Sequence, residues 1–442
     1  MIFVHRLVYR KLLTQKKERE DPMKRKKWLV VLTIAMSVSM FFGDQAMAAE
    51  KILKIGILGP FTGPSAKTGN EFKGSVTLAL EKIKYMIGDY KVEPVWIDSQ
   101  SDPAKATSAY AEAVESKGIQ VGVLNWHSSV AAAVMDVAAQ YKVHHLFGMG
   151  AAEIVNEKWQ SDPEKYSYWG GKGWPVPGKL MLGYVECLSD AVEKGLWKPK
   201  NKKVALYGED TDWGRSVGQA FRKEFGERGW EIVSEDYFPT TQTDFYPLLS
   251  KYKRNEVAVL AGTSTSAPSL SAFIKQAEEV QLKSMIVADG LGWIGDWYKM
   301  TGPSANYVLD MIPQLTTQAA QKWAKEVETK FGYTPSPSSS GLAYDGINFF
   351  IKIARRALEI HGKLDKESIH KTIVDEVYTG KLTYGADDGA LIMNEYKYAG
   401  DTLPDPVIAR DAYYFPVIQY KNGKGAIVFP DDWKTKEFEP KQ

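Results

Sequence analysis

The sequence predicts an α/β protein with two lobes, each built around a parallel sheet. Short apolar strands alternate with amphipathic helical patterns, and the alternation starts again after a stretch rich in tryptophan and proline. The length of 442 residues leaves room for two or three domains. A content of 44% hydrophobic and 25% charged residues is typical of globular proteins, so the chain can bury two substantial cores.

A secretory leader is predicted for residues 1–48. Basic residues at 24–27 precede an apolar run at 28–42, and small residues then place cleavage after Ala48 or Ala49. The residues before Met23 are expected to be an upstream extension. A membrane anchor is the alternative, but the apolar run is shorter than the roughly 20 residues that span a bilayer. No cysteine for a lipid anchor lies near the cleavage site. We therefore expect a protein released into a Gram-negative periplasm.

Charge and cysteine content exclude several classes of protein. The first 48 residues hold ten lysines and arginines against four acidic residues, so the rest of the chain has a net charge of −4, although the whole chain is +2. That balance gives no electrostatic footprint for nucleic acid. The single cysteine, Cys187, excludes an intramolecular disulfide and a cysteine-based zinc cluster. No metal or other cofactor is predicted.

The first lobe is predicted to contain four strands and three helices. The strands lie at 52–58, 92–98, 121–124 and 143–147. Apolar residues at helical spacing define one buried face: Phe72, Val76, Ala79, Leu80, Ile83 and Ile87. Two further helices are expected at 103–116 and 129–141. Nearly continuous apolar strands indicate burial on both faces, which is typical of a parallel sheet with helices above and below.

The second lobe repeats this pattern. Its strands are predicted at 203–207, 231–237, 257–261 and 284–288, and its helices at 214–228, 245–252 and 269–280. Residues 153–178 have no clear period and are the boundary between the lobes. The last predicted elements are helices at 317–331 and 341–360, and a hairpin of strands 413–420 and 426–429 around Asn422-Gly423.

Known catalytic signatures are absent from the sequence. It contains no P-loop, no GxGxxG after a strand, no GxSxG and no HExxH. We therefore expect a protein that is not an enzyme. A serine, histidine and aspartate site assembled by folding remains the alternative, since no spacing rule excludes it.

Candidate binding residues lie where predicted strands end and helices begin, because open parallel sheets bind ligands beyond the carboxyl ends of their strands. The first such turn contains Trp126, Ser128 and Ser129. Hydroxyl groups and free N–H groups at a helix N-terminus suit a carboxylate. Either serine could instead be an ordinary helix cap.

Four further turns have the same position at a strand end. Small residues after the fourth strand allow a ligand close to the backbone, and the turn contains Met149, Gly150 and Ala151. In the second lobe, Trp213 could form the wall of a pocket or belong to the core. Asp289 could bind an ammonium or hydroxyl group, or be a solvated loop residue. Four hydroxyl residues at 263–266 offer a polar lining or an ordinary cap.

An ordered set of motifs extends over nearly the whole chain after residue 50. The motifs are KIGILGPFTGP at 54–64, DYFP at 236–239, GLAYDG at 341–346 and PVIQY at 416–420. In this order, after a leader, they resemble the leucine/isoleucine/valine-binding group of type I periplasmic solute-binding proteins, which serve ABC importers. The resemblance implies two lobes joined by three crossings, with a ligand in the cleft between them.

The resemblance also implies domain limits and residue roles. The N-terminal lobe would comprise 50–170 with 312–412, and the C-terminal lobe 171–311 with 413–442. Ser128, with Ser129 beside it, would hold a ligand carboxylate, and the turn at 149–151 would supply backbone contacts. Trp213 would close on the ligand from the second lobe, and Asp289 would meet an amino group. The chain departs from the pattern at Ala151, where a hydroxyl residue is expected, and by lacking a second-lobe aromatic residue near 264–266.

The leading hypothesis from sequence is therefore a monomeric periplasmic binding subunit that delivers a branched-chain or related hydrophobic amino acid to an ABC permease. Because Trp126 and Trp213 could sandwich a flat group, an aromatic carboxylate or a short amide is the alternative ligand. A ligand sensor that docks to a membrane receptor and a secreted hydrolase are the other two alternatives.

Overall fold

Two sheets flanked by helices form the two lobes, which confirms the predicted α/β fold class. The structure is a computed structural model, and it describes residues 50–441 except 295, 313, 314, 316 and the side chain of Ile294. The predicted leader lies outside the described residues. Within the described part of the chain, no helix has both the length and the apolar character needed to cross a membrane.

The first sheet has six strands in the order β2-β3-β1-β4-β5-β6. The strands are β1 (Lys51–Gly59), β2 (Met86–Ile87), β3 (Tyr90–Asp98), β4 (Val121–Asn125), β5 (His145–Gly148) and β6 (Trp169–Gly170). The helices between them are α1 (Ala66–Lys82), α2 (Pro103–Glu115), α3 (Ser128–Tyr141) and α4 (Glu153–Ser161). All pairings are parallel except that of β2 with β3, so the carboxyl ends of β1, β4 and β5 share one edge.

Alternating side chains of β1 fill two hydrophobic clusters on opposite faces of this sheet. Leu53, Ile55 and Ile57 belong to one cluster, and Leu58 belongs to the other. None of these four side chains has any exposed surface. This two-sided burial is the reason that the sequence of the strand is nearly continuously apolar.

The second sheet has seven strands in the order β15-β14-β11-β10-β9-β7-β8. Its first five strands in the chain are β7 (Lys203–Glu209), β8 (Glu231–Phe238), β9 (Val259–Thr263), β10 (Met285–Asp289) and β11 (Leu309–Met311). The helices are α5 (Pro177–Glu193), α6 (Asp212–Glu227), α7 (Tyr246–Arg254), α8 (Ala267–Glu279) and α9 (Trp297–Thr301). β14 (Val417–Lys421) and β15 (Lys424–Phe429) complete the sheet as an antiparallel hairpin, as predicted around Asn422-Gly423.

The chain crosses between the lobes three times. It leaves the first sheet between β6 and α5, returns between β11 and α10 (Gln318–Phe331), and leaves again before β14. Helix α11 (Ala343–His361) packs against α1, β4 and β5 of the first lobe, and α12 (Lys366–Thr372) packs on α11. A small antiparallel pair follows, formed by β12 (Tyr384–Gly385) and β13 (Glu395–Tyr396). The predicted limits of the two lobes remain a prediction.

The structure corrects three details of the predicted elements. Ile87, predicted on the buried face of the first helix, lies in β2, because α1 ends at Lys82. Residues 153–178, predicted as an irregular boundary, contain α4 and the edge strand β6 and lead into α5. The terminal hairpin starts at Val417 rather than at 413, since Tyr413 and the residues after it belong to the third crossing.

Candidate functional site

The carboxyl ends of strands from both sheets meet at one cavity. Its lining contains residues of both lobes and of the first crossing. These are Trp126, His127, Ser128, Ser129, Met149, Trp174, Glu209, Thr211, Trp213, Thr265 and Trp293. Five of the eight residues proposed from sequence lie in this lining: Trp126, Ser128, Ser129, Met149 and Trp213. Such a position, between two α/β lobes at strand ends, is where ligands of open sheets bind.

Four of the eleven lining residues are tryptophans. Trp293 lies at the centre of the group, with its ring centroid 5.3 Å from Trp126, 5.5 Å from Trp174 and 5.8 Å from Trp213. The planes of Trp126 and Trp174 are nearly perpendicular to that of Trp293, at 89° and 86°. The cavity therefore offers ring faces and ring edges in several directions to a small ligand.

Three of these four indole N–H groups have no acceptor among the described residues. They belong to Trp126, Trp174 and Trp293, whereas the indole nitrogen of Trp213 donates to the Thr263 hydroxyl over 3.1 Å. A buried donor without an acceptor costs roughly 1 to 3 kcal/mol. Oxygen atoms of a ligand would remove that cost, so the wall can bind acceptor groups as well as apolar surface.

Ser128 joins the turns after β4 and β5. Its Oγ accepts hydrogen bonds from the backbone nitrogens of Ala151 and Ala152, each over 3.0 Å. Asn125 makes a parallel connection, because its Oδ1 accepts from the nitrogen of Gly150 over 2.9 Å. Gly150 and Ala151, both proposed as ligand contacts, are therefore not part of the lining and instead support it from behind.

The N-terminus of α3 faces the cavity with His127 as its cap residue. The side chain of His127 does not cap the helix, so the first N–H groups of α3 have no side-chain acceptor. Its Nε2 lies 3.1 Å from the Ser65 hydroxyl, and its Nδ1 has no partner among the described residues. Burial lowers the pKa of His127 to about 4, so the ring is neutral at physiological pH.

Glu209 is the single acidic residue of the lining. It ends β7 and is fully buried. One carboxylate oxygen accepts from the backbone nitrogen of Thr265 over 2.6 Å and from its hydroxyl over 2.8 Å, and the other accepts from the Thr211 hydroxyl over 2.9 Å. Burial raises the pKa of Glu209, and these hydrogen bonds oppose that rise.

Asp289, which was expected to meet an amino group of the ligand, is not part of the cavity lining. It is the last residue of β10, and its carboxyl group accepts a hydrogen bond from the Tyr184 hydroxyl over 2.8 Å. Tyr184 lies on α5, which packs on this face of the sheet. Burial, with Asp310 nearby, raises the pKa of Asp289 well above its ordinary range, which favours the protonated form of this buried residue.

Sequence reasoning missed several lining residues. Glu209 and Thr265 stand in strand-end segments that the sequence marks, and Trp174 stands in the predicted boundary, but none of these was proposed as a ligand contact. Trp293 gave no signal, since its turn (Leu291–Ile294) has no helical or strand period. The described residues contain no group of three or more histidine, cysteine, aspartate or glutamate side chains placed to hold a metal ion.

Comparison with known proteins decides the family. Residues 52–394 match the family model described as periplasmic binding protein. The chain belongs to the periplasmic binding protein family. The leucine/isoleucine/valine-binding protein homolog 6 of Brucella abortus is 26% identical over 254 residues, which are 57% of this chain and 61% of that protein. The chain thus spans about three fifths of the length of this curated relative.

Solved structures of this family show the same fold. The leucine-binding protein of Thermotoga maritima has a TM-score of 0.66 at 19% identity, covering 86% of this chain and 99% of its own. A solute-binding protein of an ABC transporter from Rhodopseudomonas palustris, in complex with 3,4-dihydroxybenzoic acid, has a TM-score of 0.68 at 20% identity, covering 88% and 98%. At these identities the likeness establishes the type I fold alone.

Proposed function

We propose that this protein is the substrate-binding subunit of an ABC importer and acts outside the cytoplasmic membrane as a monomer. The observation that supports this most is the cavity, whose lining comes from strand ends of both lobes. A ligand held there contacts both lobes at once and favours their closed arrangement, which a permease can recognise. Membership in the periplasmic binding protein family supports the same role.

We further propose that the ligand is a small amino acid derivative with a carboxylate at one end. The N-terminus of α3, with Ser128 and Ser129, is positive and has free N–H groups that suit this carboxylate. The tryptophans surround the apolar part of the ligand, and Glu209 replaces Asp289 as the partner of the amino group.

An aromatic carboxylate is the second candidate ligand. Indole rings on several sides can stack on a flat ring, and the three indole N–H groups without acceptors can donate to its oxygens. A related fold from Rhodopseudomonas palustris holds 3,4-dihydroxybenzoic acid. A protonated Glu209 carboxyl group would suit such a ligand, and burial raises the pKa of Glu209 in that direction.

Isothermal titration of ligand-stripped protein tests both candidates. The ligand panel pairs leucine with 4-methylpentanoate, which lacks the amino group, and adds benzoate and hexanamide. Binding of leucine but not of 4-methylpentanoate is expected if Glu209 meets an ammonium group. Binding of benzoate alone would favour the aromatic acid. Small-angle scattering should show a smaller radius of gyration with the bound ligand, and an unchanged radius would contradict closure of the lobes.

A further inference from the structure

The same cavity allows an inference about the chemistry of the ligand's cationic group, which rests on the proposed function. A primary ammonium group has three N–H donors, and each needs an acceptor when it is buried. A carboxylate has about four acceptor positions. Glu209 already uses three of them for Thr211 and Thr265. With one acceptor position left, this carboxylate cannot by itself accept from all three N–H groups of a primary ammonium.

Glu209 has no ion-pair partner in the part of the chain that the structure describes. Among the ion pairs of the described residues, none involves Glu209, and no lysine or arginine lines the cavity. A buried carboxylate without a cation is unfavourable, as the raised pKa of Glu209 also indicates. A quaternary ammonium on the ligand would compensate this charge and, because it has no N–H group, would need no hydrogen-bond acceptor.

The indole rings of the cavity offer aromatic faces, which attract such a cation. Tryptophan is the aromatic residue that attracts cations most strongly, and methylated ammonium groups are typically held by several aromatic rings around them. Trp126 and Trp174 stand perpendicular to Trp293, and Trp213 lies on a further side at a tilt of 51°. Methyl groups on the nitrogen fill this apolar space and require no acceptors.

We propose that the cavity binds an N-methylated ammonium carboxylate, a betaine, in preference to a primary amino acid. The tryptophans enclose the methylated nitrogen, Glu209 balances its charge, and the N-terminus of α3 takes the carboxylate. The three features lie in one lining.

The test compares glycine betaine with 3,3-dimethylbutanoate, in which a neutral carbon replaces the nitrogen and the shape is otherwise the same. Titration calorimetry with the ligand-stripped protein should give at least about tenfold tighter binding of glycine betaine, the ratio expected for a desolvated cation–aromatic contact. Equal or weaker binding of glycine betaine would overturn the inference.

The same titration includes leucine and benzoate, so that two kinds of failure are distinguishable. Tighter binding of leucine or benzoate than of glycine betaine would overturn the betaine inference and leave the proposed binding function in place. Binding of none of these carboxylates would overturn both.

Two variants test the roles of Glu209 and Trp293. The readout is the ratio of the affinities for glycine betaine and for 3,3-dimethylbutanoate, because a general structural defect would weaken both ligands alike. Glu209→Gln should remove most of this preference because the charge is lost while the shape is kept. Trp293→Phe should lower it about threefold to tenfold. Trp323→Phe is the matched control, because Trp323 is equally buried but packs on Tyr344 outside the cavity. An unchanged preference in both test variants would contradict the assigned roles.

Discussion

Thr265 donates two hydrogen bonds to the same carboxylate oxygen of Glu209, one from its backbone nitrogen at 2.6 Å and one from its hydroxyl at 2.8 Å. Both bonds favour the charged carboxylate, whereas burial favours the protonated form and raises the pKa. The charge in the cavity thus depends on a donor from the neighbouring strand end. His127 is the other titratable group of the lining and is neutral above its pKa of about 4.

This relationship predicts a pH dependence of binding. A cationic ligand favours ionised Glu209, so affinity should rise as pH increases through the raised pKa of the free protein and then level off. Thr265→Val removes one donor to the charged form, worth about 1.5 to 3 kcal/mol, and should move the midpoint up by roughly one to two pH units. Dissociation constants for glycine betaine between about pH 5 and pH 9 provide the measurement.

Thr372→Val is the control for this shift. Thr372 is also buried, and its hydroxyl donates to a backbone carbonyl of α12, away from the cavity. Its profile should match that of the unmodified protein. An identical midpoint in Thr265→Val would show that the hydroxyl does not act on the carboxylate.

Ser128→Ala is expected to lower stability as well as affinity. The change leaves the buried backbone nitrogens of Ala151 and Ala152 without their acceptor, and each unsatisfied group costs about 1 to 3 kcal/mol. Urea denaturation of the ligand-free protein measures this loss. Ser129→Ala, at the next position of the lining, should have a much smaller effect, and equal losses for the two variants would contradict the role of Ser128.

Gly150→Ala is expected to separate the turn after β5 from the start of α3. A Cβ at residue 150 would lie 2.8 Å from the Ala131 Cβ and 2.8 Å from the His127 carbonyl oxygen. Overpacking of this kind costs about 1 to 3 kcal/mol. Thermal unfolding checks the loss of stability, and titration checks the accompanying loss of affinity.

Gly226→Ala provides the comparison for Gly150. Gly226 lies in α6, and a Cβ there would meet no atom within 4 Å. Because alanine favours helix over glycine, this variant should be stabilised by up to about 1 kcal/mol. If Gly150→Ala melts at the same temperature as the unmodified protein, the turn accommodates the added methyl group without strain.

Asp289→Asn should change ligand affinity by no more than about twofold relative to the unmodified protein. This corresponds to a free-energy change below about 0.5 kcal/mol. The side chain accepts a hydrogen bond from Tyr184 and does not line the cavity, and burial with Asp310 nearby raises its pKa and so favours the protonated form. Titration with glycine betaine and with leucine measures the effect beside Glu209→Gln. A loss of about tenfold for Asp289→Asn, limited to ligands with a nitrogen cation, would restore the role first expected for this residue.

The sequence predicted the sheets and the position of the cavity because both follow from local patterns. Buried strands are continuously apolar, and parallel strands direct their carboxyl ends to one edge, so Trp126, Ser128 and Met149 could be placed together. Local patterns could not show which of the two acidic residues, Asp289 or Glu209, faces the cavity. Both are the last residues of buried strands, and only the packing of Tyr184 against one of them separates their roles.

The position of Trp293 in the cavity could not be predicted from local sequence patterns for a different reason. Its position depends on the turn after β10, where Gly290 has a φ of +115°, a conformation open to glycine, and reverses the chain toward the cavity. The ring then meets Trp126 of the first lobe, more than a hundred residues earlier in the chain. Contacts of this range arise from the assembled fold and have no signature in a short window of sequence.

The strand order of the second sheet also determines when the edge of β11 is covered during synthesis of the chain. β11 pairs with β14, yet α10, α11 and α12 of the first lobe lie between them in the chain. A chain threaded through a membrane from its N-terminus therefore has β11 as an open edge until the final hairpin emerges. Such an edge favours pairing with other chains. Protection of this edge therefore waits for the last part of the chain, and a chain truncated before Val417 should aggregate more readily than the full-length protein.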